Sequence, residues 1–373
     1  MTNSPIHTRL CDLVGCEHPI FAFSSSVDVV VAVTQAGGVG ILGATRMFPD
    51  EIKQALDTIR ERVEGKPFGV DLVLPKGMPE SNNREDIEAQ LPDEHRAFVD
   101  HLYEKYNVPR DGLPGQRSRF VRSNEIARRQ ADVVLASGIS IFAMGIGSPE
   151  EYIAEAKRSG KKVLALVGSP KHARRALDGG AEILVAQGHD SGAHTGPIGT
   201  FSLVPQVVKV AGDVPVLAAG GVATGQHIVS AMALGAVGVW CGTSWLTTTE
   251  AHTDPKVLKK LLSAGSEDTV ITRARSGKTN RQLRSAYTDE WAAEGAPVPL
   301  KMPYQDILVG DLLGAIDRHE IEPLMGSGTG QGIAWATRET TVAEVMAAFV
   351  SEAAGGVSRL RRVLPTPALK FLT

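Results

Sequence analysis

The run Ala186-Gln187-Gly188-His189-Asp190-Ser191-Gly192-Ala193-His194-Thr195-Gly196 closes an apolar segment with two imidazoles and a carboxylate. An imidazole ionises near neutrality, so it can remove or deliver a proton at a substrate carbon. His194 is the stronger candidate, because it sits in a glycine-rich loop at what reads as the C-terminal end of a strand. His189 comes earlier in the loop, and Asp190 could orient a histidine or hold backbone N–H groups. The spacing of the three matches no recognised ligand set, so no metal is expected.

Two further strand ends, Ala218-Ala219-Gly220-Gly221 and Cys241-Gly242-Thr243-Ser244, lie one βα unit apart. Glycine lets a backbone approach an anion closely, and N–H groups at the start of a helix supply donors. In a parallel barrel the loops after the last two strands commonly bind phosphate. Gly220, Gly221, Gly242 and Thr243 are therefore the expected phosphate grip. Neither loop carries a G-x-G-x-x-G or Walker pattern, which favours a mononucleotide flavin or a sugar phosphate over NAD or ATP.

Such groups need a scaffold, and the chain alternates short apolar runs with helical stretches, as in βα units around a parallel sheet. Eight runs read as strands: Ile20–Ser25, Val39–Ala44, Phe68–Leu74, Ile139–Gly147, Val163–Val167, Ile183–Gln187, Val216–Ala219 and Val237–Cys241. Most are continuously apolar, the pattern of strands covered on both faces. Helices fit between them at Val27–Gln35, Pro149–Ser159 (after Ser148), Pro170–Asp178 and Gln226–Leu234, with small capping residues before and glycine after. The expected fold is α/β, a TIM-type (β/α)8 barrel forming one domain over 1–373. Two segments exceed a minimal barrel. The insertion at 76–119, with a helix expected over Pro92–Tyr106, is long for a βα loop and is expected to wall or cover the active face. The tail at 247–373 carries helix-like stretches Pro255–Ala264 and Val342–Ala353 and the glycine-rich run 326–332.

The 373 residues are 43% hydrophobic and 22% charged, ordinary for a chain with a real core. A net charge of −3 gives no support for nucleic-acid binding. No apolar run is long enough to span a bilayer, and the first residues lack an apolar signal core, so a cytoplasmic protein is expected. Cys11, Cys16 and Cys241 read as reduced thiols.

The stretch Ala186–Gly196 resembles the A-Q-G-x-E-A-G-G-H-x-G signature of the FMN-dependent nitronate monooxygenases, formerly 2-nitropropane dioxygenases. Pro215–Leu246 is similar to the following block of that family, including A-A-G-G-I and G-T-x-F-L. Pro19-Ile20, Ala36-Gly37-Gly38-Val39-Gly40 and Phe68-Gly69-Val70-Asp71-Leu72 resemble its P-I, A-G-G-L-G and F-G-V-N-L motifs. The likeness runs from Pro19 to Leu246, with weaker echoes at Gly277–Arg284 and Gly330-Gln331. It implies FMN as cofactor, His194 as the catalytic histidine, Gln187 near the flavin, and Gly220, Gly221, Gly242 and Thr243 at its phosphate. By the same matching, Ala22, Phe23, Ser24, Asp71, Gly192 and Ala193 are expected to contact the cofactor. The chain departs from the family pattern at Asp190 for Glu, Ser191 for Ala, Ala193 for Gly and Asp71 for Asn, and Ala22-Phe23-Ser24 lacks the usual methionine. Asp71 thus brings a carboxylate toward the flavin.

The resemblance implies oxidation of alkyl nitronates or nitroalkanes with O2 to carbonyl compounds and nitrite. His194 would serve as base for a neutral nitroalkane and would only position a nitronate. The same superfamily contains FMN enoyl thioester reductases, so an NAD(P)H-linked reductase or desaturase of enoyl- or acyl-CoA is the alternative. For that alternative, Arg117, Arg119, Arg122, Arg128 and Arg129 could clamp phosphates; otherwise they form a solvated helix face. A flavin-binding protein without catalysis is a third reading, which His194 opposes. The expected partners are a small-molecule substrate with O2 or NAD(P)H, and no nucleic acid or membrane; a homo-oligomer is compatible with the sequence.

Overall fold

Strands that are apolar on both faces have nowhere to point a side chain toward water, and eight of them here close into a parallel barrel. The computed structural model describes residues 4–147 and 149–363. The chain runs through β1 (Ile20–Ser24), β2 (Val39–Gly43), β3 (Gly69–Val73), β4 (Ile141–Gly145), β5 (Lys162–Val167) and β6 (Ile183–Gln187). A two-residue strand, β7 (Ala193–His194), precedes β8 (Val216–Ala219) and β9 (Gly238–Cys241). The barrel order is β1-β2-β3-β4-β5-β6-β8-β9, closed by Ile20 opposite Val239. All eight barrel strands fall on the expected apolar runs, and the TIM barrel is found as expected.

Alternation sorts each strand into an inner and an outer set. Phe21, Ile41, Ile141, Ala143, Leu164, Val185, Leu217 and Trp240 fill the interior, joined by Leu10 of α1 (Arg9–Val14). Outward residues meet a ring of helices that begins with α2 (Val27–Gln35) and α3 (Pro49–Arg62). The insertion after β3 contributes α4 (Arg84–Glu88) and α5 (Asp93–Lys105) before the ring resumes with α6 (Asn124–Ala136). It continues through α7 (Glu150–Arg158), α8 (Pro170–Asp178), α9 (Thr200–Ala211) and α10 (Gly225–Ala233). Ser169 and Thr224 cap α8 and α10 by accepting from the His172 and His227 N–H groups. Ser148, ahead of α7, lies outside the described residues.

The tail adds α11 (Pro255–Ser263), the hairpin of β10 (Thr269–Thr272) and β11 (Asn280–Leu283), α12 (Ala286–Ala292), α13 (Tyr304–Arg318) and α14 (Val342–Val363). It does not stand apart from the insertion. Leu91, Leu102 and Val121 share one apolar cluster with Leu261, Tyr287 and Leu312. Ion pairs Arg84–Asp311 at 2.6 Å and Arg318–Asp111 at 2.7 Å stitch the same seam. Among the described residues no helix is long and apolar enough to cross a membrane.

The last helix, α14, lies against α10 at a point where only glycine fits. A Cβ built on Gly225 would come within 2.2 Å of the Ala353 nitrogen and 2.5 Å of the Phe349 oxygen. Gly225→Ala is therefore expected to destabilise the fold by roughly 2 kcal/mol or more, read as a lower urea midpoint. An unchanged midpoint would mean that this helix contact contributes nothing.

Candidate active site

The last residues of seven barrel strands, Ser24, Val73, Gly145, Val167, Gln187, Ala219 and Cys241, all face a cavity of about 2370 Å3. That is the end of a barrel where loops carry chemistry. Phe23 and Trp240 stack at its floor with ring centres 6.0 Å apart.

The glycines at this end divide into two kinds. Gly221 (φ +73°) and Gly242 line the cavity with their bare faces. A Cβ on Gly221 would meet only the Asp190 Cβ, at 3.5 Å, and one on Gly242 only the Phe23 oxygen, at 3.9 Å. Their N–H groups and the adjacent Thr243 make a donor set open to an anion. Gly220 (φ +100°) and Gly192 also line the cavity, but they are glycines for packing reasons. A Cβ on Gly220 would lie 2.8 Å from the Thr200 hydroxyl, and one on Gly192 2.7 Å from the Gly330 nitrogen. The tail's loop at 328–330 therefore sits directly on the central loop, and the Gly330 N–H donates to the Thr243 hydroxyl at 2.9 Å. These open, donor-lined strand ends fit the phosphate of a mononucleotide.

His194 is held as a strand residue. Asn280 and Arg281 of β11 pair with His194 and Ala193, so the tail's hairpin reaches across to fix the arm. Ala193 takes the left-handed conformation (φ +57°), and the Gln187 amide donates to the His194 carbonyl at 2.9 Å. The His194 Nε2 lies 2.8 Å from the hydroxyl of buried Ser276. Burial, then the charge of Arg117, depress the imidazole to about 3; Asp306 opposes them, and Arg46 and Lys278 lower it further by less. The ring is neutral at physiological pH.

Those cations are in excess. Arg46 and Arg117 share the single carboxylate of buried Asp306, at 2.8 and 3.0 Å. Arg122 is also buried, donates to the Val73 carbonyl, and forms no ion pair among the described residues. Burial, with Arg46 nearby, lowers its guanidinium to about 9. Beside it stands Asp71 of β3, 4% exposed, whose Oδ1 finds no hydrogen-bond partner among the described residues. Burial pushes this carboxyl up to about 7, although the Gly145 N–H and Arg122 oppose the shift. Asp71 and His194 also line a second cavity of about 820 Å3 that runs out past Arg46, Arg117, Arg119 and Arg122.

The remaining expected residues fall unevenly. Phe23, Ser24, Gln187 and Ala193 border the main cavity. Ala22 does not: it is wholly buried in the barrel–helix layer with Val29 and Val239, because it alternates with inward-facing Phe21 and Phe23. His189 and Asp190 hold the loop, the first near the Gly196 carbonyl at 2.8 Å and the second accepting from the Thr200 N–H at 2.8 Å. The arginine cluster is not one surface. Arg117, Arg119 and Arg122 border the smaller cavity, whereas Arg128 and Arg129 lie on α6 at the rim of the larger one. Arg119 and Arg128 are engaged by Glu51 and Glu155. Sequence reasoning missed Ser276, Arg46 and Asp306; the echo at Gly277–Arg284 was the one signal near them.

Comparison with known proteins places this chain in a family. The nitronate monooxygenase family profile matches residues 7–352. A candidate monooxygenase of Mycobacterium tuberculosis is 44% identical over 82% of this chain and 84% of its own. The nitroalkane oxidase of Streptomyces ansochromogenes superposes with a TM-score of 0.81 at 26% identity, covering 95% of this chain and 100% of its own. A bicyclic carboxyl-CoA dehydrogenase of Mycobacterium tuberculosis is 28% identical over 76% of this chain and 68% of its own.

Asp71 leaves a thermodynamic mark that needs no substrate. A carboxyl raised on folding makes its full contribution to stability below its unfolded value, near 3.8, and loses it as pH rises through about 7. The loss is on the order of 4 kcal/mol at most. The thermal midpoint of Asp71→Asn should therefore gain on that of the wild type between about pH 5 and pH 8. A constant difference across that range would show an ordinary carboxylate.

Proposed function

We propose that this chain, which belongs to the nitronate monooxygenase family, binds FMN and oxidises alkyl nitronates with O2 to a carbonyl compound and nitrite. Membership makes it an oxidoreductase of a flavoprotein family. One observation carries the finer reading: a half-buried neutral imidazole surrounded by surplus cationic charge. That environment favours an anion over a neutral ligand of the same shape, and a nitronate carries its charge on the nitro oxygens.

Gly221, Gly242 and Thr243 would hold the cofactor's phosphate through backbone N–H groups and the Thr243 hydroxyl. Phe23, Ser24, Gln187 and Asp71 would border the rest of it. A flavin held there would supply the redox chemistry between nitronate and O2. His194, anchored through Ser276 and Gln187, orients the anion, and Arg46, Arg117 and Lys278 supply the field that holds it. A neutral imidazole suits this task, because it donates one hydrogen bond without contributing a charge that must be desolvated.

A second reading draws on the extent of the larger cavity. At about 2370 Å3 it exceeds the usual 300–1,000 Å3 of a small-molecule pocket. It continues past Lys76, Arg129, His172 and Arg175, chemistry that suits the phosphates of an acyl-CoA.

Anaerobic addition of propyl nitronate should bleach the flavin spectrum of the purified protein, while NADH and NADPH leave it unchanged. Rapid bleaching by a nicotinamide alone, with salt-sensitive acyl-CoA binding, would move the assignment to the thioester reaction. A colourless protein that cannot be reconstituted with FMN would sink both. The phosphate assignment has its own check. Gly242→Val meets almost no protein atom at its Cβ, so it should fold normally yet lose FMN affinity by about tenfold or more. Undiminished FMN binding would exclude this strand end from the grip.

A further inference from the structure

Two titratable groups, His194 and Asp71, stand where the large and small cavities meet, and their surroundings differ. His194 is tied through Nε2 to Ser276 and lies in a field that opposes protonation. Asp71 is different. The residue borders both cavities, and its buried Oδ1 has no hydrogen-bond partner among the described residues. Arg122, ahead of α6, and the Gly145 N–H, at the end of β4, act on it directly. Arg46 after β2, Arg117 in the insertion and Asp306 on α13 act on Arg122 in turn, and Arg46, Arg117 and His194 line the smaller cavity with Asp71. Asp306 is already shared between two arginines, so Arg122 is the charge left to stabilise an ionised Asp71.

We propose that Asp71 is the proton-accepting residue of this site, taking the carbon-bound proton of a neutral nitroalkane so that the nitronate forms in place. This rests on the nitronate reading for its substrate. In the step, the C–H bond beside the nitro group breaks and an O–H bond forms on Asp71. The C–H electron pair becomes the C=N bond of the nitronate, and the charge moves onto the nitro oxygens. No electrons leave the substrate. The proton then departs to solvent through the arginine-lined cavity, whose surplus positive charge disfavours its return. The nitronate so formed lies beside the cations that His194 already shares. A base works best when its proton affinity matches the operating pH, and burial brings Asp71 to about 7 while His194 falls to about 3.

The holoenzyme and its Asp71→Asn and His194→Asn variants should be compared on nitroethane and on pre-ionised ethyl nitronate. The ratio of nitroethane to nitronate turnover should rise with pH in the wild type, with its midpoint near 7. It should fall by about 100-fold or more in Asp71→Asn. In His194→Asn both rates should fall together and leave the ratio within a few-fold. Anaerobic wash-out of deuterium from the nitro-bearing carbon of labelled nitroethane reads the proton step without any oxidation. Wash-out that depends on Asp71, in a protein that oxidises no nitronate, would overturn the nitronate reading and keep this one. Nitronate oxidation with wash-out unaffected by Asp71→Asn would overturn this one alone. Carbon-13 NMR of the cofactor-free protein adds a check: an aspartate carboxyl titrating near 7 should vanish in Asp71→Asn. Its absence from the wild type would also overturn the proposal.

Discussion

One buried carboxylate, Asp306, faces two guanidinium groups, and three parts of the chain meet at that point. Arg46 follows a barrel strand, Arg117 belongs to the insertion, and Asp306 lies on a tail helix. Breaking a buried pair by removing one partner leaves an uncompensated charge and is strongly destabilising. Losing Asp306 would strand two. The cluster therefore fixes where the insertion and tail sit relative to the barrel, and it sets the electrostatic tone of the cavity beside it. Charge neutrality is deliberately incomplete there, and the residual positive field reaches both His194 and Asp71.

That field separates two titratable groups that a sequence reading would treat alike. Asp71 is buried and His194 half-buried, and both border the same junction. Burial penalises the charged form of each, so it lowers the base and raises the acid. Cations deepen the shift of His194 and only partly offset that of Asp71. The outcome is an imidazole that stays neutral and a carboxyl that can exchange its proton near physiological pH. Pairs of groups driven apart in this way commonly divide the acid–base labour of an active site.

The barrel was legible because its strands are short, apolar and punctuated by glycine, so local sequence and global fold agree. Gly221 and Gly242 were legible for the same reason: both lie at strand ends, where the loops of a parallel barrel turn. The company of His194 was not, since Ser276 lies 82 residues downstream and no local pattern announces that contact. The insertion and the tail read as two separate additions, whereas one apolar cluster joins them. Ala22 is instructive in the other direction. Strand alternation with Phe21 and Phe23 assigns it to the helix layer, a deduction within reach of the sequence that motif matching passed over. Asp71 was visible as a departure from a pattern, but its missing partner is a three-dimensional fact.

The strand pairing of His194 with Asn280 carries a consequence for the order of assembly. Every barrel strand is made before Cys241 has left the ribosome, so a closed barrel can precede the tail. The hairpin that anchors His194, the serine behind it and the loop that seals Thr243 are all synthesised later. Domains fold as units during synthesis, N-terminal portions first. Until the tail has been made, a nascent chain lacks the residues that tether the histidine arm. The geometry around His194 and Thr243 is thus complete only when the last third of the chain is in place.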